Sequence, residues 1–134
     1  MITPTPEVQE RLDRTTVCWL TTVSPTGQPQ SSPVWFLWQE GVVVTYSLAG
    51  SPRVRNIRAN PRVSLNLNSD DEGGQVVTIE ATAELDDAGP RSPDVPAYLA
   101  KYLPLITQYG WTPDGFARDY PQRIVITPTR LRAY

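Results

Sequence analysis

The sequence contains no histidine and only one cysteine, Cys18. Without histidine the chain cannot build a Ser-His-Asp triad, a histidine-containing zinc site or a His-ligated haem. A single cysteine also excludes an internal disulfide framework and a cysteine-cluster metal site. We therefore predict no metal site, and the remaining residue types do not single out a catalytic side chain.

Long apolar runs and an excess of one charge are missing as well. The longest apolar stretch, residues 33–38, is far shorter than the roughly 20 residues that span a bilayer. A net charge of −2 does not fit an overall basic nucleic-acid-binding protein. The first residues show no charged region followed by an apolar run, so we expect a cytoplasmic protein without a signal peptide, membrane span or nucleic-acid partner.

The composition that is present is that of a globular protein. The 134 residues are 40% apolar and 19% charged, which fits one domain over residues 1–134. The sequence has no GxGxxG and no Walker loop, so it supports neither a Rossmann nor a P-loop nucleotide site.

Apolar periodicity predicts a mainly β chain with short helices between strands. Six strands are predicted, over residues 17–23, 30–39, 42–47, 62–68, 75–85 and 122–127. Four short helices are predicted, over residues 5–15, 51–60, 95–106 and 112–120. Consecutive antiparallel strands, several of them apolar on both faces, favour a closed or nearly closed barrel over an open sheet.

The helix predicted at residues 51–60 carries the strongest local signal for chemistry. Ser51 can cap it and Pro52 suits its first position, so that Arg53 and Arg55 fall in its first turn. Cations are unfavourable at this positive end of the helix dipole, and free backbone N–H groups there bind anions. The residues leave two interpretations open: a phosphate or carboxylate site, or solvated arginines paired with the acidic residues 70–72.

The aromatic segment at residues 33–38 also has two interpretations. Trp35 and Trp38 would lie on opposite faces of a regular strand, where aromatic rings either contact a cofactor or pack in a core. Strands 30–39 and 42–47 carry apolar residues on both faces, which is more than one small barrel can bury. We therefore predict a homodimer, because soluble monomers rarely expose such a patch.

Two segments resemble the pyridoxamine 5'-phosphate oxidase-like split β-barrel superfamily. Residues 19–36 (WLTTVSPTGQPQSSPVWF) resemble its opening strands, and residues 51–64 (SPRVRNIRANPRVS) resemble its cofactor-phosphate helix and the following strand. The form VWFLW at residues 34–38 is similar to the actinobacterial subgroup that uses the deazaflavin coenzyme F420. The resemblance covers nearly the whole chain and implies a six-stranded antiparallel split β-barrel with short flanking helices.

The same resemblance implies a function. It predicts a homodimer with cofactor sites at the subunit interface and an F420-dependent oxidoreductase that transfers a hydride to an electron-poor enone, quinone or tetrapyrrole. The alternatives are an FMN-binding oxidoreductase and a non-catalytic carrier of a cofactor or small ligand. The absence of histidine argues against pyridoxamine phosphate oxidation and against the haem-degrading branch.

By position, the resemblance also implies the site residues. Along the deazaflavin ring it places Ser31, Ser32, Pro33, Val34 and Trp35. Around the phosphate and its tail it places Tyr46, Ser47, Ser51, Arg53, Arg55 and Asn56. Closing the site from the other subunit it places Gln75, Val76 and Val77. The superfamily usually has lysine at the position of Arg53, and arginine keeps the charge and can bind phosphate through two N–H groups. A proton for the reaction can come from solvent or from a hydroxyl such as that of Tyr46.

Overall fold

The computed structural model describes residues 2–134 and has one seven-stranded antiparallel sheet. Its strands are β1 (Cys18–Val23), β2 (Pro29–Val34), β3 (Leu37–Gln39), β4 (Val42–Ser47), β5 (Arg62–Asn66), β6 (Val77–Leu85) and β7 (Gln122–Ala133). They are ordered β2-β1-β5-β6-β7-β4-β3, so the two edge strands are consecutive in the chain. Val34 and Leu37 are three Cα steps apart, at most about 11 Å. The sheet must therefore curl until its edges approach each other, which gives the predicted split β-barrel with seven strands instead of six.

The prediction of one continuous strand over residues 30–39 is wrong. The chain leaves the sheet at Trp35 and Phe36, because their backbone groups bond to side chains instead of a neighbouring strand. The Phe36 N–H donates to Tyr102 Oη (2.6 Å), and Thr45 Oγ1 donates to the Trp35 carbonyl (2.6 Å). The two halves of the predicted strand lie at opposite edges, so Trp35 and Trp38 do not alternate across one regular strand.

Other strand bounds differ from prediction mainly at their ends. β5 ends at Asn66 and β6 begins at Val77, so both are shorter than predicted. β7 continues well past residue 127 to Ala133, because it pairs with the whole of β6 across a bulge between Glu80 and Ala81. Proline lacks an N–H for the ladder, and Pro128 stands beside this bulge, opposite Ala81.

Residues 2–134 contain four α-helices and one short 3-10 helix (Ser92–Asp94), and the α-helices flank the sheet. The α-helices are α1 (Pro6–Arg14), α2 (Pro52–Ala59), α3 (Pro96–Gln108) and α4 (Pro113–Asp119). Each begins with proline, whose fixed φ and missing N–H suit the first helical position. Of the helices in residues 2–134, none combines the length and apolar character needed to cross a membrane.

Two hydrophobic cores hold the fold together. The barrel core fills the inside of the sheet with mostly aliphatic side chains, among them Leu20, Val43, Ile79 and Ile126. The helix-side core lies between β3, β4 and the helices α3 and α4. Its buried members are Leu37, Val44, Tyr46, Val95, Tyr98, Tyr102, Ile106 and Phe116.

The prediction of a homodimer assumes that one chain cannot bury both faces of β4, and the helix-side core buries the second face. Residues 43–47 of β4 are all buried within one chain, because the barrel core covers one face and α3 and α4 cover the other. Most of β2 is exposed and polar, with Gln30 and Ser31 open to solvent. The argument from two unburied apolar faces is therefore wrong, and the homodimer stays a prediction.

Candidate functional site

The candidate site is built around the start of α2, which follows β4 after a short turn. Ser51 occupies the N-cap with extended backbone angles (φ −67°, ψ 153°), and Pro52 opens the helix. Val54 and Ile57 are buried in the barrel core and fix the orientation of the helix. The first turn consequently places Arg53 between the end of β4 and strand β2.

The side chain of Arg53 is held by two hydroxyls. Its Nε and Nη2 donate to Ser32 Oγ (3.2 and 2.9 Å), and its Nη1 donates to Ser47 Oγ (3.2 Å). No carboxylate among residues 2–134 forms an ion pair with it. Burial lowers the pKa of the Arg53 guanidinium, which is the effect of withdrawing an unpaired charge from water. This half-buried cation is available to an anion.

The backbone at the start of α2 supports the same conclusion. The Ser51 side chain at the N-cap makes no capping hydrogen bond, so the first N–H groups of the helix receive no acceptor from it. Ser51 Oγ is buried and has no hydrogen-bond partner within the described residues. A helix start with free N–H groups and an adjacent unpaired arginine has the donors that a phosphate group requires.

Two grooves meet at Arg53. The first, of about 280 Å³, we call the polar groove. It is lined by Thr22, Gln30, Ser31, Ser32, Pro52 and Arg53. The second, of about 430 Å³, we call the aromatic groove. It is lined by Pro33, Val34 and Trp35 and by residues of the α3–α4 region, including Trp111 and Phe116. Arg53 can therefore contact the anionic end of a ligand whose apolar part lies in the aromatic groove.

The five residues predicted to follow a cofactor ring all line these grooves, but they offer different contacts. Ser32 bonds to Arg53, whereas Ser31 Oγ lies 2.6 Å from Thr21 Oγ1. The Trp35 indole is stacked by Tyr102 and Phe116, with ring centroids 4.7 and 5.2 Å away. Its stacking surface is thus used inside the protein, and it forms a rigid wall of the groove.

Tyr46 lines the aromatic groove with its ring, but its hydroxyl is engaged elsewhere. Tyr46 Oη donates to the Pro90 carbonyl (2.8 Å) and accepts from Arg123 Nη1 (2.6 Å). Arg123 in turn pairs with Asp86 (Nε to Oδ2, 3.0 Å). Burial raises the pKa of the Tyr46 phenol, against a smaller opposing effect of Arg123. The Tyr46 hydroxyl is therefore not free to donate the proton that the prediction assigns to it.

Asn56 and Arg55 support the site from outside it. Asn56 is buried, and its Nδ2 donates to Thr22 Oγ1 (2.9 Å) and Gln30 Oε1 (2.8 Å), which fixes Gln30 at the polar groove. Arg55 is exposed and its Nη1 donates to the Gly50 carbonyl (2.7 Å) in the turn before the helix. Both side chains position neighbouring residues within this chain.

The predicted residues 75–77 are not brought to Arg53 within one chain. The Gln75 carbonyl accepts from Arg11 Nη1 (2.8 Å), and Val76 pairs with Tyr134 at the C-terminus (N–O 2.7 Å). Val77 is buried in the barrel core, so its side chain is closed to a ligand. A contribution of this segment from a second subunit stays a prediction.

Several groove residues escaped the sequence prediction. They are Leu48, Tyr109, Trp111, Phe116 and Tyr120. The one local signal that points to any of them is Tyr109-Gly110-Trp111, where aromatic residues flank a glycine just after a predicted helix. Nothing in the sequence predicts the pairing of Arg123 with Asp86, because the two residues are 37 positions apart.

Comparisons with known proteins agree with this architecture. The profile of the pyridoxamine 5'-phosphate oxidase family matches residues 4–133. Among solved structures, an F420 reductase is 26% identical, with a TM-score of 0.70 and coverage of 97% of this chain and 98% of that chain. Among curated proteins, none matches the sequence.

Two more distant structures share the fold alone. A heme storage protein from Vibrio cholerae is 20% identical, with a TM-score of 0.68 and coverage of 98% of this chain and 95% of that one. An FAD-binding protein from Mesorhizobium loti is 17% identical, with a TM-score of 0.63 and coverage of 93% and 87%, respectively.

Proposed function

Because the chain belongs to the pyridoxamine 5'-phosphate oxidase family, we propose that it is an oxidoreductase that binds coenzyme F420 with its phosphate at Arg53. The observation that carries this proposal is the half-buried Arg53 guanidinium, which is held by Ser32 and Ser47 and has no carboxylate partner among residues 2–134. The similarity to an F420 reductase at 26% identity favours F420 among the phosphate-bearing cofactors.

The residues present fit the anionic end of such a cofactor. The guanidinium and the free N–H groups at the start of α2 supply charge-assisted donors. A hydrogen bond to a charged group contributes about 1.5–3 kcal/mol. The two serine hydroxyls orient the guanidinium before the ligand arrives, which reduces the entropy lost on binding.

The aromatic groove fits the apolar end. Its walls of Pro33, Val34 and the stacked Trp35 exclude water from one side of a bound ring. When bound, reduced F420 supplies a hydride, and an acceptor with an electron-poor double bond gains two hydrogens once a proton from solvent has been added. The protein's task is to orient the reactants and exclude water, for which histidine and paired carboxylates are not required.

The cofactor assignment is tested by titrating the protein with F420 and with FMN under identical conditions, using calorimetry. We expect tighter binding of F420. Tighter binding of FMN, or a preparation that retains stoichiometric FMN through purification, would overturn the F420 assignment and leave a flavoprotein oxidoreductase of the same family.

The phosphate assignment is tested by changing Arg53. Arg53→Ala should weaken F420 binding by about tenfold to a hundredfold, since 1.4 kcal/mol is tenfold. Arg53→Lys should cost much less because it keeps the charge. The matched control is Arg58→Ala, which removes an exposed arginine from the last turn of the same helix and should leave the affinity unchanged. If Arg53→Ala binds F420 as tightly as the parent protein, the phosphate lies elsewhere.

A further inference from the structure

Two buried hydroxyls hold the chain where it leaves the sheet between β2 and β3. Tyr102 on α3 is closed to solvent, and its Oη accepts from the Phe36 N–H (2.6 Å) and donates to the Thr16 carbonyl (2.7 Å). Thr45 on β4 is closed to solvent as well, and its Oγ1 donates to the Trp35 carbonyl (2.6 Å). Neither hydroxyl can touch a ligand, yet the two fix the backbone that connects the edge strands of the sheet.

The Phe36 carbonyl has a donor of its own. It lies 2.9 Å from Tyr102 Oη, but a hydroxyl has a single proton, and Lys101 Nζ donates to the same carbonyl at 2.8 Å. The Tyr102 proton is thereby left for the Thr16 carbonyl, and two consecutive residues of α3 satisfy both polar groups of the Phe36 backbone. A buried backbone group without a partner is costly, so the path of the chain here depends on these side chains.

The ring of Tyr102 contacts the wall of the aromatic groove from inside the protein. The Trp35 indole lines this groove, and the Tyr102 ring is stacked on it, with centroids 4.7 Å apart and an angle of 8° between the planes. Stacked rings in a packed core restrict each other's orientation. Tyr102 therefore fixes the indole in two ways, through its own ring and through the backbone of the next residue, Phe36.

We propose that Tyr102 is a positioning residue of the cofactor site, whose hydroxyl holds the Trp35–Phe36 backbone and thereby keeps the Trp35 indole in place as the groove wall; this inference rests on the proposed function. Thr45 supports the same wall from β4 through the Trp35 carbonyl. A wall that is ordered before the ligand arrives reduces the entropy lost on binding. Loss of the Tyr102 hydroxyl therefore lowers cofactor affinity although no contact with the cofactor is removed.

Calorimetric titration with F420 provides the first test. Tyr102→Phe removes the hydroxyl and keeps the ring, and it should weaken F420 binding by about three- to tenfold. The matched control is Tyr98→Phe, one turn away on α3. The Tyr98 hydroxyl is also buried but has no hydrogen-bond partner within the described residues, so its removal should change the affinity by no more than about twofold. Equal affinity of Tyr102→Phe and the parent would overturn the proposal.

A double-mutant cycle tests whether the hydroxyl acts through Trp35, which a merely structural role would not require. In a Trp35→Leu background the planar ring is gone, so adding Tyr102→Phe should change the Kd of F420 by no more than about twofold. An undiminished effect of Tyr102→Phe in that background would overturn the proposal. Thr45→Val removes the donor to the Trp35 carbonyl and should weaken F420 binding in the same direction. If Tyr102→Phe does not fold, unchanged affinity in Thr45→Val overturns the proposal instead.

Fluorine NMR of the cofactor-free protein, labelled with 5-fluorotryptophan, separates this inference from the proposed function. The Trp35 resonance, identified by its loss in Trp35→Leu, should broaden in Tyr102→Phe and stay narrow in Tyr98→Phe. Trp19, whose Nε1 bonds to Asn68 Oδ1, gives the reference resonance. Failure of the parent to bind F420 would overturn the proposed function, and the Trp35 line width would still decide the positioning role. A Trp35 resonance as narrow in Tyr102→Phe as in the parent would overturn that role.

Discussion

Arg53 and Arg123 are both partly or mostly buried arginines close to β4, yet their surroundings differ. Arg123 lies on β7 opposite Tyr46, and its Nε pairs with Asp86 Oδ2 at 3.0 Å while Nη1 donates to Tyr46 Oη. Among residues 2–134, the hydrogen-bond partners of the Arg53 side chain are only the hydroxyls of Ser32 and Ser47. The same side chain is therefore a structural link in one region and an unneutralised charge in the other.

The difference shows why an unpaired arginine points to a ligand. A buried cation without a counter-ion is unfavourable, and a lysine can relieve that cost by losing its proton. Arginine keeps its proton at any physiological pH, so the charge of Arg53 remains although burial lowers its pKa. Binding of an external anion is the remaining way to neutralise it.

A carboxylate introduced beside Arg53 should pair with it, as Asp86 pairs with Arg123. In Ser32→Asp the new carboxylate would stand where a hydroxyl now lies 2.9 Å from Nη2. We expect F420 affinity to fall by about a hundredfold, because the arginine is paired and a negative charge faces the phosphate. The free energy of unfolding should stay level or rise.

Ser32→Asn serves as the control for Ser32→Asp, because it has nearly the same shape without the charge. It should retain most of the F420 affinity in calorimetry. Equal affinity of Ser32→Asp and the parent would show that Arg53 does not meet the phosphate.

Removing Arg123 should destabilise the fold more than removing Arg53, although Arg53 is the arginine that we expect to bind the cofactor. Arg123→Ala leaves Asp86 and Tyr46 without their partner and should lower the free energy of unfolding by about 2 kcal/mol. Arg53→Ala also removes an unfavourable charge and should cost about 1 kcal/mol or less. Urea unfolding of the cofactor-free proteins measures both, with Arg58→Ala as the reference. A larger loss in Arg53→Ala than in Arg123→Ala would contradict the comparison.

The sequence predicts the Arg53 region better than the Arg123 region, and locality explains this. Ser51, Pro52 and the two first-turn arginines lie within five residues of sequence, so helix-start rules alone indicate an anion site there as one of two interpretations. The partners of Arg123 come from β4 and from the loop after β6, and only the assembled sheet brings them together. Local patterns contain no information about such a pairing.

The same reasoning applies to the fold. Alternation of apolar residues predicts most strands and hence a mainly β barrel. The break at Trp35 and Phe36 depends on hydrogen bonds with Tyr102 on α3 and Thr45 on β4, which are long-range contacts. The prediction that β4 needs a second subunit to cover it failed for the same reason, since α3 and α4 are placed by tertiary packing.

Lys101 is a partly buried cation like Arg53 and Arg123, but a lysine can lose its proton. It therefore shows whether a charge without a carboxylate partner is kept when the residue is not arginine. Its Nζ donates to the Phe36 carbonyl (2.8 Å) and lies 4.0 Å from the centroid of the Phe36 ring, with no ion pair to a carboxylate of residues 2–134. Burial lowers the pKa of Lys101 from 10.5 to about 8. Between these values the unfolded chain holds the proton and the folded chain releases it, so this group makes stability rise with pH.

We therefore expect the free energy of unfolding of the parent, relative to that of Lys101→Met, to increase between about pH 7 and pH 10. The increase should be only about 1 kcal/mol, because solvent screens the part-exposed amine. Urea unfolding at several pH values measures the difference. Both proteins should carry Cys18→Ala, because burial raises the pKa of the Cys18 thiol to about 12. Above the pKa of the thiol in the unfolded chain, its titration makes stability fall as the pH rises. The difference between the parent and Arg53→Ala should stay flat over the same range, because arginine keeps its proton. If the difference in the free energy of unfolding between the parent and Lys101→Met is also independent of pH, the Lys101 amine stays charged in the folded protein. Lys101 and Arg53 would then not differ in their ability to release a proton.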